Sequence, residues 1–120
     1  MKIMAESDKF VVWNEYEKVF LKRKETSQII LIGEFYGDPD VALISADETY
    51  CAVGGEGLII YYLTPPFEEF STGCKGTKQW KTWGRNTKEE TMWVSDITPI
   101  DNKFISVKLE DSETILVSIY

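Results

Sequence analysis

The sequence predicts a mainly β protein, an antiparallel sheet of six to eight short strands built from hairpins, or an α+β fold with little helix. Three observations support this fold class. Apolar runs are short and rich in β-branched residues, as in residues 28–36, QIILIGEFY, which is typical of strands. Turn-forming residues separate the runs, as at Gly37-Asp38-Pro39-Asp40. The 120 residues, 43% of them hydrophobic, predict a single domain, 1–120, that can bury a core.

The first third of the chain contains an ambiguous segment and two predicted strands. Residues 9–23, KFVVWNEYEKVFLKR, fit a strand by the propensity of Val and Trp, but they also show helical spacing at Phe10, Trp13, Glu17 and Phe20. Residues 28–36 predict a buried strand. Residues 41–45 predict a short strand, which a turn at Asp47-Glu48 follows.

The middle of the chain predicts a hairpin and then a break. Its arms, residues 50–53 and 58–63, are joined by the glycine-rich residues 54–57, which permit the positive φ angles that hairpin turns require. Pro65-Pro66 ends the second arm, because proline cannot donate to a sheet ladder. Residues 67–70 then fit one helical turn.

The last third predicts a loop and three further strands. Residues 71–91, STGCKGTKQWKTWGRNTKEET, predict a long irregular loop. Loops of that length are uncommon in a small domain unless they are functional or mobile. Residues 92–97, 103–109 and 114–119 predict strands, with a turn at 110–113.

Two predicted hairpins resemble each other. Four residues recur with a constant offset of 54, so that Asp47, Tyr50, Val53 and Glu56 match Asp101, Phe104, Val107 and Glu110. Each set starts in a turn and enters a strand. A duplicated antiparallel unit would produce this pattern, and chance similarity between two hairpins is the alternative.

The residue inventory excludes several chemistries. The chain has no histidine and two cysteines. This composition excludes Ser-His and Cys-His nucleophile pairs, His-bearing zinc sites and four-thiolate zinc sites. We therefore expect no metal, no cofactor and no enzymatic activity, and we expect Cys51 and Cys74 to be free thiols.

Charge and hydropathy indicate the compartment and the kind of partner. The N-terminal MKIMAESDKFVVW lacks the apolar core of a signal peptide, and no run approaches the ~18 apolar residues of a membrane span. We therefore expect a cytoplasmic protein that does not associate with a membrane. The net charge of −7 argues against nucleic acid as the partner and suits either a basic partner or simple solubility.

The charges are unevenly distributed. Residues 25–74 hold nine carboxylates and no cation, whereas residues 75–88 hold five cations and no acid. Because the hairpin turns on one side of a meander cluster at the same sheet edge, we expect the turn acids to form one exposed patch. The candidate contacts are Asp38, Asp40, Asp47, Glu48 and Glu56, with Glu68 and Glu69 as secondary candidates. The alternative is that residues 75–88 fold over these acids and neutralise them within the molecule.

Two tryptophans lie inside the basic segment. Trp80 and Trp83 are further candidates for partner contacts, because Trp is common at the energetic centres of interfaces. Basic residues interleaved with aromatics also suit single-stranded nucleic acid. The other interpretation is that both indoles anchor the segment to the core.

The acidic stretch carries a family resemblance. GEFYGDPDVALISADETYCAVGGEGLIIYYL, residues 33–63, is followed by Pro65, Pro66 and Phe67 in a histidine-free chain. It resembles the small immunity proteins of bacterial toxin systems, including those of contact-dependent growth inhibition. The resemblance implies a cytoplasmic inhibitor that binds one cognate toxin, often a nuclease with a basic cleft.

Two other functions compete with this one. A carbohydrate-binding or general protein-interaction module would use exposed Trp and Tyr side chains. A small enzyme would use a closely spaced acidic pair buried in a pocket. The sequence indicates no oligomeric state.

Overall fold

The computed structural model describes residues 2–71, 78–84 and 92–120. Across these ranges the fold is all β, with eleven strands and no helix. The strands are β1 (Lys2–Glu6), β2 (Phe10–Glu15), β3 (Lys18–Arg23), β4 (Gln28–Glu34), β5 (Val41–Ile44), β6 (Tyr50–Gly55), β7 (Gly57–Tyr62), β8 (Trp80–Trp83), β9 (Val94–Pro99), β10 (Phe104–Leu109) and β11 (Thr114–Ser118).

The strands form three antiparallel sheets, so the prediction of a single sheet of six to eight strands was wrong. Sheet 1 has the order β1-β2-β3-β4, sheet 2 the order β5-β6-β7-β8, and sheet 3 the order β11-β10-β9. One apolar cluster joins sheet 1 to sheet 2, and a second joins sheet 2 to sheet 3. The sheets are therefore stacked face to face in chain order, with sheet 2 in the middle.

The middle sheet explains much of the unusual composition. Every residue of β6 and all but the last residue of β7 are buried, because both faces of sheet 2 are covered. Strands buried on both faces are continuously apolar rather than alternating. A large part of the stretch without Lys or Arg is therefore interior, which the charge analysis of the sequence did not anticipate.

Some strands of the outer sheets, such as β3 and β10, alternate between buried and more exposed residues. In β10, Ile105 and Val107 face the core while Lys108 is exposed. Residues 9–23 form β2 and β3, so the helical alternative was wrong. Trp13 and Phe20, which suggested helical spacing, are register partners in sheet 1 and stack with ring centroids 5.8 Å apart.

Three further segments differ from the prediction. Residues 67–70 are not helical; the Phe70 N–H donates to the Leu31 carbonyl at 2.8 Å, so the segment covers the edge of β4, a common protection for an edge strand. Strand β8 lies inside the predicted loop 71–91, whose residues 72–77 and 85–91 are outside the described residues. Strand β1 was not predicted.

The two matched units occupy equivalent positions. Asp47 lies in the turn before β6, and Asp101 lies in the turn before β10. Each uses its Oδ1 atom to accept a backbone N–H two residues later, from Thr49 at 3.3 Å and from Lys103 at 2.7 Å. The repeated aspartates therefore perform the same structural role.

The stack has two distinct ends. Odd-numbered strands run towards the upper end and even-numbered strands towards the lower end. At the upper end, Ser7 of the β1–β2 turn donates to Glu48 of the β5–β6 turn. At the lower end, the Tyr36 N–H donates to Glu56 Oε1 at 3.0 Å, and the Gly57 N–H donates to the Met92 carbonyl at 2.6 Å. The three sheets therefore share both ends.

Candidate functional site

The five acids expected to form one patch lie at both ends of the stack. Asp38, Asp40 and Glu56 are in connections at the lower end, whereas Asp47 and Glu48 are in the β5–β6 turn at the upper end. Strands of six residues separate the ends by roughly 20 Å. The structure therefore divides these side chains between two surfaces.

The upper-end acids of this set hold turns in place. Glu48 Oε2 accepts hydrogen bonds from Ser7 Oγ and from the Lys9 N–H at 3.0 Å, which lower the pKa of Glu48. Hydrogen bonds from the Thr49 and Ser45 side chains lower the pKa of Asp47. Both carboxylates therefore stay ionised to lower pH than an isolated side chain would.

The secondary candidates lie on the flanks or in the core. Glu68 and Glu69 are exposed beside β4, where Glu69 Oε2 accepts the Leu31 N–H at 3.1 Å. Trp80 is only 8% exposed and packs on Phe70, with ring centroids 5.1 Å apart. Trp83 is half-buried against the cluster between sheets 2 and 3. Trp80 therefore anchors its segment to the core, as the second interpretation of the two tryptophans predicted.

The lower end concentrates acidic residues. We define the lower rim as residues 15–17, 34–40, 56, 92–93 and 110–113. Its exposed carboxylates are Glu15, Glu17, Asp38, Asp40, Glu110, Asp111 and Glu113. Of these seven, the sequence made only Asp38 and Asp40 candidates. The other five lie outside residues 25–74 in the chain, and the stacking of the sheets brings them to the same end as Asp38 and Asp40.

The lower rim also carries three exposed aromatic side chains that the sequence analysis missed. Tyr16 is 84% exposed, Tyr36 is 75% exposed and Trp93 is 42% exposed. Tyr16 has a positive φ of 56° in the tight β2–β3 turn. A tyrosine placed between turn acids, as in Asn14-Glu15-Tyr16-Glu17, was the available sequence signal.

Backbone hydrogen bonds connect the rim across the three sheets. The Phe35 N–H donates to the Glu17 carbonyl at 2.9 Å, which links the turn of Tyr16 to the connection that carries Tyr36. Glu56 forms an antiparallel bridge with Trp93. The Glu110 N–H donates to the Trp93 carbonyl at 2.9 Å. These backbone contacts connect the segments that carry the three aromatic residues.

A buried polar side chain contacts the β2–β3 turn of the lower rim. Asn14 is 8% exposed, and its Nδ2 donates to the Tyr16 carbonyl at 3.0 Å. Within the described part of the chain, Asn14 Oδ1 is a buried side-chain oxygen without a hydrogen-bond partner. A buried unsatisfied acceptor is costly, so this position favours any donor that reaches it.

Few cations contact the acids in the described ranges. The ion pair found among the described residues joins Lys24 Nζ to Glu6 Oε2 at 2.8 Å, at the upper end. Lys81 donates to the Ser118 carbonyl at 2.8 Å instead of to an acid. The alternative interpretation was that residues 75–88 fold over the acids and neutralise them. Three of the five cations of that segment, Lys75, Arg85 and Lys88, lie outside the described residues, so this interpretation stays open.

The groups available for catalysis or metal binding are limited in the described residues. These residues contain no group of three or more potential ligand side chains placed to hold a metal ion. Their buried polar side chains are Asn14, Ser45 and Gln79, none of which is a carboxylate. Burial raises the pKa of the free Cys51 thiol to about 12, so it stays protonated and poorly nucleophilic; Cys74 is outside the described ranges.

None of the described segments forms a helix long and apolar enough to cross a membrane. Comparison of the chain with protein-family models, with curated proteins and with solved structures found no match. The site is therefore interpreted from its own geometry.

Proposed function

We propose that this protein is an inhibitor that binds a basic protein through its lower rim, in the manner of the immunity proteins that the sequence resembles. The observation that carries the proposal is the combination of Tyr16, Tyr36 and Trp93, all exposed, with the carboxylates around them. The inhibitor binds its partner stoichiometrically in the cytoplasm and catalyses nothing.

The aromatic residues support a protein interface. Large aromatic side chains are normally buried, and three exposed ones at the same end of the molecule need an explanation. Tyr and Trp are enriched where interfaces concentrate their binding energy. The molecule measures 40 × 30 × 29 Å, so an end face is large enough for the ~800 Å² that a standard interface buries per partner.

The carboxylates support a basic partner. The lower rim carries seven exposed acids, and a described cation beside them is Lys18, the exposed register partner of Glu15. An excess of carboxylates at an interface speeds encounter with a positive surface. A nuclease that binds the phosphates of nucleic acid through Lys and Arg presents such a surface. The lower rim would then occupy the cleft that nucleic acid otherwise fills.

The exposed aromatics also favour a second candidate, a carbohydrate-binding module. Stacking of a tyrosine or tryptophan ring on a sugar depends little on ionic strength, whereas binding of a basic protein by carboxylates weakens with salt. A glycan array together with a salt titration separates the two functions.

The direct experiment uses the polypeptide encoded beside this protein's gene. The neighbour is produced in cells with or without the inhibitor, and growth is scored. We expect growth only with the inhibitor, and we expect loss of protection with the combined variant Tyr16→Ala, Tyr36→Ala, Trp93→Ala. A matched variant, Tyr120→Ala, removes an exposed aromatic from the upper end and should still protect. If the triple variant folds and protects fully, the lower rim is not the binding surface.

A further inference from the structure

A cleft opens at the upper end, on the opposite side of the molecule from the lower rim. It encloses about 540 Å³ between the β5–β6 turn of sheet 2, the β9–β10 turn of sheet 3 and Tyr120. Ligand sites in proteins typically enclose ~300–1,000 Å³ and lie where structural layers meet. A neighbouring cavity of about 480 Å³ shares Thr49 and Tyr120 with it.

The two repeated aspartates, Asp47 and Asp101, line this cleft together. The hydrogen bonds that fix their turns use the Oδ1 atom of each carboxylate. The Oδ2 atoms are not used by those bonds. Among the described residues that line the cleft there is no Lys or Arg, so two negative charges share one concave space without a cation in its wall.

Aromatic rings complete the wall. Tyr50 lies at the inner side of the cleft and is buried, whereas Tyr120 at its mouth is 66% exposed. Tyr120 is held in place by stacking on Tyr62, with ring centroids 5.5 Å apart and planes at 15°. Asp47, Tyr50 and Tyr120 line the same cleft, and burial, with smaller contributions from Asp47 and Tyr120, raises the pKa of Tyr50.

We propose that this cleft binds an organic cation, a guanidinium or primary ammonium group, between Asp47, Asp101 and the rings of Tyr50 and Tyr120. The carboxylates form charge-assisted hydrogen bonds with the N–H groups of the cation. The tyrosine faces add cation–π attraction. A bare divalent cation fits less well, because it requires six or more oxygen ligands.

The test uses a defined probe, N-acetyl-arginine N-methylamide, titrated into the full protein and followed by the backbone amide NMR shifts of Thr49 and Asn102. We expect saturable shifts with a dissociation constant of roughly 1–10 mM. The citrulline analogue replaces guanidinium with a neutral urea of the same shape. We expect it to bind about tenfold more weakly or not at all, because it cannot form the charge-assisted bonds.

Asn substitutions remove the negative charge of each aspartate while they keep the hydrogen bonds that fix its turn. Asp47→Asn and Asp101→Asn retain the Oδ1 acceptor of each turn, and each should weaken arginine binding about tenfold. The matched control is Asp96→Asn, because Asp96 Oδ1 accepts the Ile97 N–H at 2.9 Å and the residue lies outside both the cleft and the lower rim; binding should not change. Tyr120→Ala, an exposed substitution, should also weaken binding.

A further comparison identifies the source of the cation. Tighter binding of spermidine than of the arginine probe assigns the cleft to a free polyamine, and the reverse order assigns it to a side chain of a protein. Equal binding of the arginine and citrulline probes, an equal effect of Asp96→Asn, or no saturable shift in the folded protein would each overturn the proposal.

Discussion

Both ends of the stacked sheets carry carboxylates and aromatic rings, but the lower end exposes them whereas the upper end arranges them around a cleft. At the lower rim, Tyr16, Tyr36 and Trp93 protrude among exposed carboxylates. At the upper end, Asp47 and Asp101 are fixed by turn hydrogen bonds and line a concave cleft with Tyr50. Exposed aromatic side chains among carboxylates suit contact with another macromolecule, whereas a cleft suits a small group. Both surfaces consist of turn residues rich in carboxylates and aromatic rings. They differ in how those residues are arranged, exposed at the lower rim and around a cleft at the upper end.

The separation follows from strand direction. Because each sheet is an antiparallel meander, successive turns alternate between the ends. The cation-free stretch therefore sends Asp38 and Asp40 to one end and Asp47 and Glu48 to the other. Acids from successive turns therefore lie at opposite ends of the molecule. Glu17 and Glu110 are far apart in the chain, yet both belong to the lower rim.

The largest expected effect is on binding of the basic partner. The combined variant Asp38→Lys, Asp40→Lys, Glu110→Lys should weaken affinity by roughly 100-fold or more, because it replaces attraction with repulsion across the interface. Isothermal titration calorimetry measures the change.

The control for this variant lies at the upper end. Asp8→Lys with Glu25→Lys alters two exposed acids there and should change affinity by no more than about threefold. Equal losses from both variants would mean that total charge, not the lower rim, determines binding.

The second effect concerns stability and should affect the ends differently. Ser45 is buried at the upper end, and its Oγ accepts the Thr49 N–H at 2.9 Å and the Tyr50 N–H at 3.1 Å. Ser45→Ala should lower the free energy of unfolding by about 1–3 kcal/mol, because it removes the acceptor of the buried Tyr50 N–H. Tyr36→Ala at the lower rim should change it by no more than about 0.5 kcal/mol. Urea denaturation of both variants checks the contrast.

The third effect concerns association kinetics. Raising the salt concentration from about 0.05 M to about 0.5 M should slow association with the basic partner by roughly tenfold or more, because salt screens exposed charges. The combined variant Asp38→Asn, Asp40→Asn, Glu110→Asn should show a smaller salt dependence. Stopped-flow mixing measures the rates, and an unchanged salt slope in the variant would contradict electrostatic steering by the rim.

The smallest effect is a pH dependence at the upper end. The hydrogen bonds from Ser7 and Lys9 lower the pKa of Glu48 in the folded state, so its stabilising contribution is present above the unfolded-state pKa and is lost as the pH falls through the folded-state value. Glu48→Gln should therefore lose less stability than the parent protein between about pH 6 and pH 3. Chemical denaturation at both pH values tests this, and parallel losses would contradict it.

The sequence predicted the kind of structure better than its organisation. The apolar runs at residues 28–36, 41–45 and 50–63 identified β4 to β7, and those after Met92 identified β9 to β11. The number of sheets was not predictable from local pattern, because the continuous burial of β6 and β7 depends on two covering layers that are distant in the chain. Strand β8 lies among Gly, Lys and Thr residues that resemble a loop.

The site was only partly predictable for the same reason. Asp38 and Asp40 follow from turn chemistry alone. Tyr16 and Trp93 become neighbours of those acids only through the bridge at Glu56 and the hydrogen bond from Phe35 to Glu17. Trp80 appeared in a basic segment but packs in the core, because Phe70 covers it. Local sequence identifies turns, and the register between sheets decides which turns meet.

Amide hydrogen exchange of the protein, alone and saturated with its basic partner, tests the central claim most directly. We predict slower exchange on binding at the lower-rim amides of Tyr36, Gly37 and Glu110, with unchanged exchange at the upper-end amides of Thr49 and Phe104. Slower exchange confined to the upper end, or to the flank beside β4, would contradict the assignment of the lower rim as the binding surface.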